Sequence, residues 1–322
     1  LGAVFNGTTG EERVNYYMTL PSDSVATAMR AMASALRYPL FRPDELAREK
    51  EVVLGEYDRQ EASPGFAFDN EMKQRLYPGQ FSRKNTIGDR QVLRTVTPEK
   101  MREIQRRYYV PNNTALIVTG DVTPDSVFAW AERWYGDWAR GADPFAEAPI
   151  PPIPALATDA GVIGEAPVSA VTLVINWQGP SVRKDRASTY AADVFSDALN
   201  TPGSRFQQRL VDSGLWQAVL VNYYTLDQVG PITISGQADP AKLRQAMAAL
   251  HDEIEKLDDP GYFGAEELVA VKAQRAMESA LGAERTSGLT HTVGFWWAVA
   301  DLDYFLGYVD EMAKQTPEDL RR

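Results

Sequence analysis

RPDELAREKEVVLGEYDRQ, residues 42–60, places Glu49 and Glu56 seven positions apart on a segment whose apolar positions Leu46 and Val53 recur at helical spacing. Neighbours on one helix face fall at i+3, i+4 and i+7, so these four residues are expected to share a face. An unpaired ionised carboxylate is costly to bury, and a face of this composition predicts something that compensates the two acids. A metal, a catalytic water or a strong cationic partner are the physical options, and carboxylate oxygen is an acceptable ligand for zinc or a hard cation. A solvated charged face is the competing reading, because charged residues are mostly exposed and 24% of this chain is charged.

Outward from this helix the order is mixed. Before it, RVNYYMTL alternates as a strand does and SDSVATAMRAMASALRYP reads as an amphipathic helix, with the run Ser22 to Ser24 offering an N-cap. After it come the helix PEKMREIQRRYY, a short β-rich run NTALIVTGD ending at Gly120-Asp121, and a capped helix from Thr123 through Trp134. Residues 142–161, ADPFAEAPIPPIPALATDAG, hold five prolines, which discourage helix and ladder pairing and favour an extended connection. Beyond them VSAVTLVINWQG reads as a strand, and RASTYAADVFSDALN and GSRFQQRLVDSG as helices. LWQAVLVNYY and PITISGQAD read as an antiparallel pair. An internal echo links TLPSDSVATAMRAMASAL and PDELAREKEVVLGE to ISGQADPAKLRQAMAAL and GAEELVAVKAQRAME, aligning Glu56 with Glu278 but Glu49 with Val271, so a duplicated unit keeps its carboxylate pair in one copy only.

At 322 residues the length fits two domains, and 44% hydrophobic residues with 7 Trp supply ample core. No apolar run is long enough to span a membrane. A net charge of −11 and a pI near 4.9 oppose nonspecific nucleic-acid binding, which needs a basic footprint, and disfavour acidic substrates. With no cysteine there is neither disulfide nor thiol chemistry.

Four segments, LGAVFNGTTGEERVNYYMTLPSD, YPLFRPDELAREKEVVLGEYDRQ, TIGDRQVLRTVTPEKMREIQRRYYVPNNTALIVTGDV and GSRFQQRLVDSGLWQAV, resemble in the same order the pitrilysin/insulinase family of zinc peptidases. The resemblance implies an α+β fold of two homologous domains, each a mostly antiparallel sheet with helices on one face, as in mitochondrial processing peptidase. It implies a metal-site domain over 1–145, a Pro-rich linker over 146–160 and an inactive-type, substrate-enclosing domain over 161–322. In the family two histidines of an inverted H-x-x-E-H motif and a later glutamate hold zinc. By resemblance Glu56 matches that glutamate and Glu49 the preceding one, which supports the metal site from behind its ligands. No H-x-x-E-H is present. His251 and His291, the two histidines, lack a second imidazole at ligand spacing, and the motif is expected about twenty residues before Leu1. The general base is expected there as well, so that no catalytic residue lies in this sequence. Both ends, including the terminal TPEDLRR, read as falling within family segments.

The resemblance carries further expectations. Substrate peptides would add as a strand along Val4, Phe5, Asn6, Gly7 and Thr8, although Asn6-Gly7 is also a strong turn signal. The family's substrate-gripping arginine and tyrosine fall at Leu210 and Gln217, so the pair is absent and Arg209 lies one residue out of register. A second subunit or tandem half carrying that pair is therefore expected, as a heterodimer, with Zn2+ in the parent protein and a bacterial periplasmic or exported location. The alternative is a non-catalytic family member that acts as a scaffold or partner subunit of a peptidase complex.

Overall fold

The computed structural model describes residues 2–322. The chain divides into two compact units. The first takes in the chain up to Gln74, Gly79–Pro152 and Thr286–Gly294; the second takes in Arg75–Pro78, Ile153–Arg285 and Phe295–Arg322.

In the first unit β1 (Val4–Thr9) and β2 (Val14–Thr19) form an antiparallel hairpin, followed by α1 (Val25–Arg37), α2 (Pro43–Glu61) and α3 (Phe66–Leu76). Then come α4 (Arg90–Thr95), α5 (Pro98–Tyr108) and α6 (Pro124–Tyr135). The hairpin turns at Gly10–Arg13, where the Gly10 N–H donates to the Arg13 carbonyl at 2.8 Å. Asn6-Gly7 is thus mid-strand, and the turn reading of that dipeptide is excluded. Ser22–Ser24 forms a short 3-10 turn and Ser24 makes no side-chain cap, so the expected N-cap is replaced by continuous helical backbone. The β-rich run after α5 joins no ladder: residues 114–119 form neither helix nor strand among the described residues. A β-rich run favours a strand, but a ladder also requires a neighbour within hydrogen-bond reach.

The second unit has a three-stranded antiparallel sheet in the order β3 (Val171–Gln178), β5 (Pro231–Ala238), β4 (Ala218–Tyr223). With it go α7 (Arg186–Asn200), the short α8 (Arg205–Gln207), α9 (Leu243–Glu255), α10 (Ala265–Ala283), α12 (Leu302–Lys314) and α13 (Pro317–Arg321), whereas α11 (Thr286–Val299) belongs to the first unit up to Gly294 and to the second from Phe295. The helix expected over GSRFQQRLVDSG is α8 followed by a π turn at Gln208–Asp212. The core here is large. Trp216, Phe206, Leu210, Val194, Ile234, Leu250 and Tyr304 are all enclosed, and the Trp216 Nε1–H donates to the Ala246 carbonyl at 3.0 Å. Gly236 is needed beside that ring, since a Cβ there would lie 2.7 Å from Trp216 Cε3. Buried polar groups are paired: Tyr308 Oη donates to Asp193 Oδ2 at 2.7 Å, and Arg275 grips Asp197 through two bonds of 2.6 and 2.7 Å.

The sequence echo has a structural counterpart. α1 and α9 are each 13 residues long, α2 and α10 are each 19, and each pair follows a strand, β2 or β5. The Pro-rich segment 146–160 forms neither helix nor strand, and within it Ile153 is buried beside Leu76 and Tyr77.

Candidate functional site

α2 starts at Pro43, whose missing N–H costs nothing in a first turn, and Asp44 and Glu45 lie at the positive end of its dipole. Its half-buried residues are Leu46, Lys50, Val53, Leu54 and Tyr57. At about 100° per residue, positions 50, 53, 54 and 57 fall roughly 40°, −20°, 80° and 20° from Leu46. Glu49 and Glu56 fall at roughly −60° and −80°, on the flank of this stripe rather than within it. Both are exposed. The expectation of two acids on an inward face is corrected accordingly: Leu46 and Val53 mark one margin of the buried stripe, whose centre lies toward Tyr57 and Lys50.

The helix is held firmly on its other flank. Lys50 Nζ donates to the Val96 carbonyl at 3.3 Å, and Arg90 at the start of α4 reaches Asp58 at 2.5 Å and Glu61 at 2.6 Å. Its guanidinium also lies 4.5 Å from the Tyr57 ring centroid, a cation–π contact. Glu49 and Glu56, in contrast, make no hydrogen bond or ion pair among the described residues, so four carboxylate oxygens lie on one line of a fixed helix with no protein partner. Their axial separation is about 10 Å.

The histidines do not join them. His251 is exposed on α9 with its Nε2 3.4 Å from Glu255 Oε1, and His291 on α11 packs edge-on against Tyr17 with centroids 4.5 Å apart. Among the described residues no three His, Cys, Asp or Glu side chains are grouped as a metal site would require. A zinc centre needs three or four ligands. The residues present do not make a complete one.

β1 has an open edge. With Gly10 and Arg13 bonded at the turn, ladder bonds alternate at Thr8/Asn15, Asn6/Tyr17 and Val4/Thr19, which leaves the backbone groups of Phe5, Gly7 and Thr9 directed outward. One of these is already occupied, because the Gly7 N–H donates to Asn6 Oδ1 at 2.8 Å. Thr8 Oγ1 bonds Asn15 Oδ1 across the hairpin. Val4 and Phe5 are 68% and 71% exposed, an apolar edge that other strands commonly avoid.

Leu210, where the resemblance expects an arginine, is fully enclosed in the second unit's core, while Gln217 is exposed where its N–H joins Gln237 ahead of β4. Arg209 is turned outward and lies 3.3 Å from Glu253. Sequence reasoning missed Glu253 altogether, because HDEIEKL reads as a solvated charged face.

The description "Insulinase (Peptidase family M16)" matches residues 1–87, and "Peptidase M16 inactive domain" matches residues 95–275, more than half of the chain. The chain belongs to the insulinase family. It is 23% identical over 298 residues to an uncharacterized zinc protease of Rickettsia felis, covering 91% of this chain and 70% of that protein. To the uncharacterized zinc protease YmxG of Bacillus subtilis it is 23% identical over 264 residues, covering 81% of this chain and 62% of that protein. The crystal structure of a protease from Helicobacter pylori superposes with a TM-score of 0.85 at 20% identity, covering all of this chain and 78% of that one. In this M16 member the inactive-domain match begins at Thr95, the last residue of α4, and runs across the Pro-rich segment into the second unit.

Proposed function

We propose that this chain serves a zinc-dependent peptidase, with Glu56 offering one metal ligand and Glu49 orienting a neighbouring ligand, while imidazole ligands come from polypeptide outside these residues. The observation that carries this reading is the pair of exposed carboxylates without protein partners on a helix otherwise pinned through Lys50, Asp58 and Glu61. Peptide would add along the outward groups of Phe5 and Thr9, displacing Asn6 from the Gly7 N–H. A second family subunit, or a tandem half, would supply the arginine and tyrosine that Leu210 and Gln217 replace. An exported or periplasmic setting belongs to the same reading; no helix among the described residues is long and apolar enough to cross a membrane.

The second reading is a non-catalytic scaffold or partner subunit, favoured by the match of "Peptidase M16 inactive domain" to most of the chain and by the incomplete ligand set. Metal analysis separates the two. This chain alone should hold no stoichiometric zinc after dialysis. The native protein should hold one zinc and lose most of it, with its peptidase activity, in Glu56→Gln. A native protein without zinc or peptidase activity would establish the scaffold instead.

A further inference from the structure

Glu253, on α9, is the most enclosed carboxylate among the described residues, with its side chain 1% exposed. Four groups close on it. The Tyr262 hydroxyl donates to Oε2 at 3.0 Å and Arg205 Nε lies 3.7 Å from the same oxygen, while Arg209 Nε and Lys256 Nζ each lie 3.3 Å from Oε1. One negative charge therefore gathers three cations and leaves two positive charges unmatched by it. Glu267 is the other acid near Tyr262, and its Oε2 accepts from the Gly264 N–H at 3.4 Å.

The two arginines are arranged to receive something more. Each faces Glu253 with Nε, and among the described residues their terminal Nη groups make no hydrogen bond and are open to solvent, the side chains being 49% and 59% exposed. Arg205 also lies 4.9 Å from the Tyr262 ring centroid, which fixes the plane of its guanidinium. Arg205 and Arg209 are four residues apart, a spacing that puts both on one side of a helix. Between them the backbone widens from α8 to the π turn Gln208–Asp212, closed by the Ser213 N–H to the Gln208 carbonyl at 3.2 Å. Such π turns are rare and concentrate at functional sites. A buried acid that aligns two guanidinium forks and an ammonium, in a chain of net charge −11, is a preorganised cationic site against an acidic background.

We propose that Arg205, Arg209 and Lys256 form an oxyanion-binding site, positioned by Glu253 and Tyr262, that takes a carboxylate or a phosphate through the free guanidinium forks. Two oxygens of such a group match the parallel N–H vectors of a guanidinium, and the unmatched charge at the cluster favours an anion over a neutral amide. This inference stands on the second unit alone and does not depend on the peptidase reading.

Arginine side-chain 15N–1H spectra of the full chain test it, with N-acetylglycine, N-acetylglycinamide and inorganic phosphate as probes. The expected result is a saturable shift of the Arg205 and Arg209 Nε resonances with a Kd of about 1 mM or tighter for at least one oxyanion, and none with the amide. A response to N-acetylglycine assigns the site to carboxylates, as at a peptide C-terminus, and a response to phosphate alone assigns it to phosphates. Replacing both arginines by alanine should weaken binding by at least about tenfold, and Arg209→Lys, which keeps charge but loses the fork, should fall between. Arg244→Ala, an exposed cation on the same helix as Glu253, should change nothing. No saturable shift with either oxyanion, an equal response to the amide, or an equal loss in Arg244→Ala would overturn the proposal.

Discussion

Glu49 and Glu56 are read through what they lack. A carboxylate that already has a cation is poorly placed to receive a metal, whereas an unpartnered pair on a pinned helix is available. In the native protein Glu56→Gln should abolish most zinc binding and activity, and Glu49→Gln should lower both by roughly 10- to 100-fold, the usual cost of losing a residue that orients a ligand. Zinc content and peptide turnover measured on the same preparations check this, and equal, negligible effects would return both residues to a solvated face. Asp193 carries a different prediction. Burial pushes its carboxyl up to about 7, against the lowering effects of the Tyr308 hydrogen bond and the Arg275 charge, with Asp197 adding to the rise. A carboxyl whose folded pKa exceeds its unfolded value contributes stability that is present at low pH and lost as pH rises through the folded value. Thermal unfolding followed from about pH 4 to pH 7 should show this contribution shrinking, and Asp193→Asn should flatten that part of the profile. An unchanged pH profile in Asp193→Asn would show that the buried carboxyl does not titrate in this window.

Among the elements, Thr-Pro recurs as a helix start. Thr97, Thr123 and Thr316 each precede a proline and accept from the backbone N–H three residues on, at Lys100, Ser126 and Asp319. At Thr316 the Asp319 carboxylate reciprocates, bonding the Thr316 N–H at 2.8 Å. Alanine at Thr97 or Thr123 should cost about 1 kcal/mol, read as a shift in the denaturant midpoint. Within the second sheet the tolerance is smaller. Gly236→Ala would drive a methyl into the enclosed Trp216 ring and should cost about 2 kcal/mol, the range for overpacking a closed core. The same midpoint measurement applies, and a neutral result would mean that the ring can shift. Several of these elements were legible in the sequence for local reasons: the cap at Thr123, the run Arg186–Asn200 and the pair β4/β5 each carry their own signal. Residues 114–119 show the limit of that logic, since a run of β-forming residues favours a strand but does not supply the strand beside it.

For the whole molecule a repeated order of strand, 13-residue helix and 19-residue helix is the organising feature. β2, α1 and α2 are matched by β5, α9 and α10 with helices of equal length, yet the later copy has Val271 buried where the first has Glu49 exposed. One copy is thereby committed to packing at a position where the other offers a charge. If the peptidase reading holds, the native protein should size as a complex with a second family subunit or as a longer chain with a tandem half. Light scattering on purified native material checks this. A strict homodimer or monomer with full activity would show that the arginine and tyrosine are dispensable.

The sequence by itself determined the family, the mixed α+β class and the presence of α1, α2, α5, α6 and α7, because family words, caps and apolar periodicity are local properties of the chain. Its resemblance to the family also sets the expectation that Leu210 and Gln217 stand where the substrate-gripping pair would be. Only the tertiary structure decided which side of α2 is covered, since helical spacing groups Leu46, Glu49, Val53 and Glu56 without saying where a neighbour packs. It likewise decided that Asn6-Gly7 continues a strand, because the competing turn at Gly10–Arg13 closes the hairpin first. The cluster at Glu253 was invisible for the same reason. Its arginines, lysine and tyrosine come from separate stretches of chain, and burial and convergence of charge are properties of the packed unit rather than of any one segment.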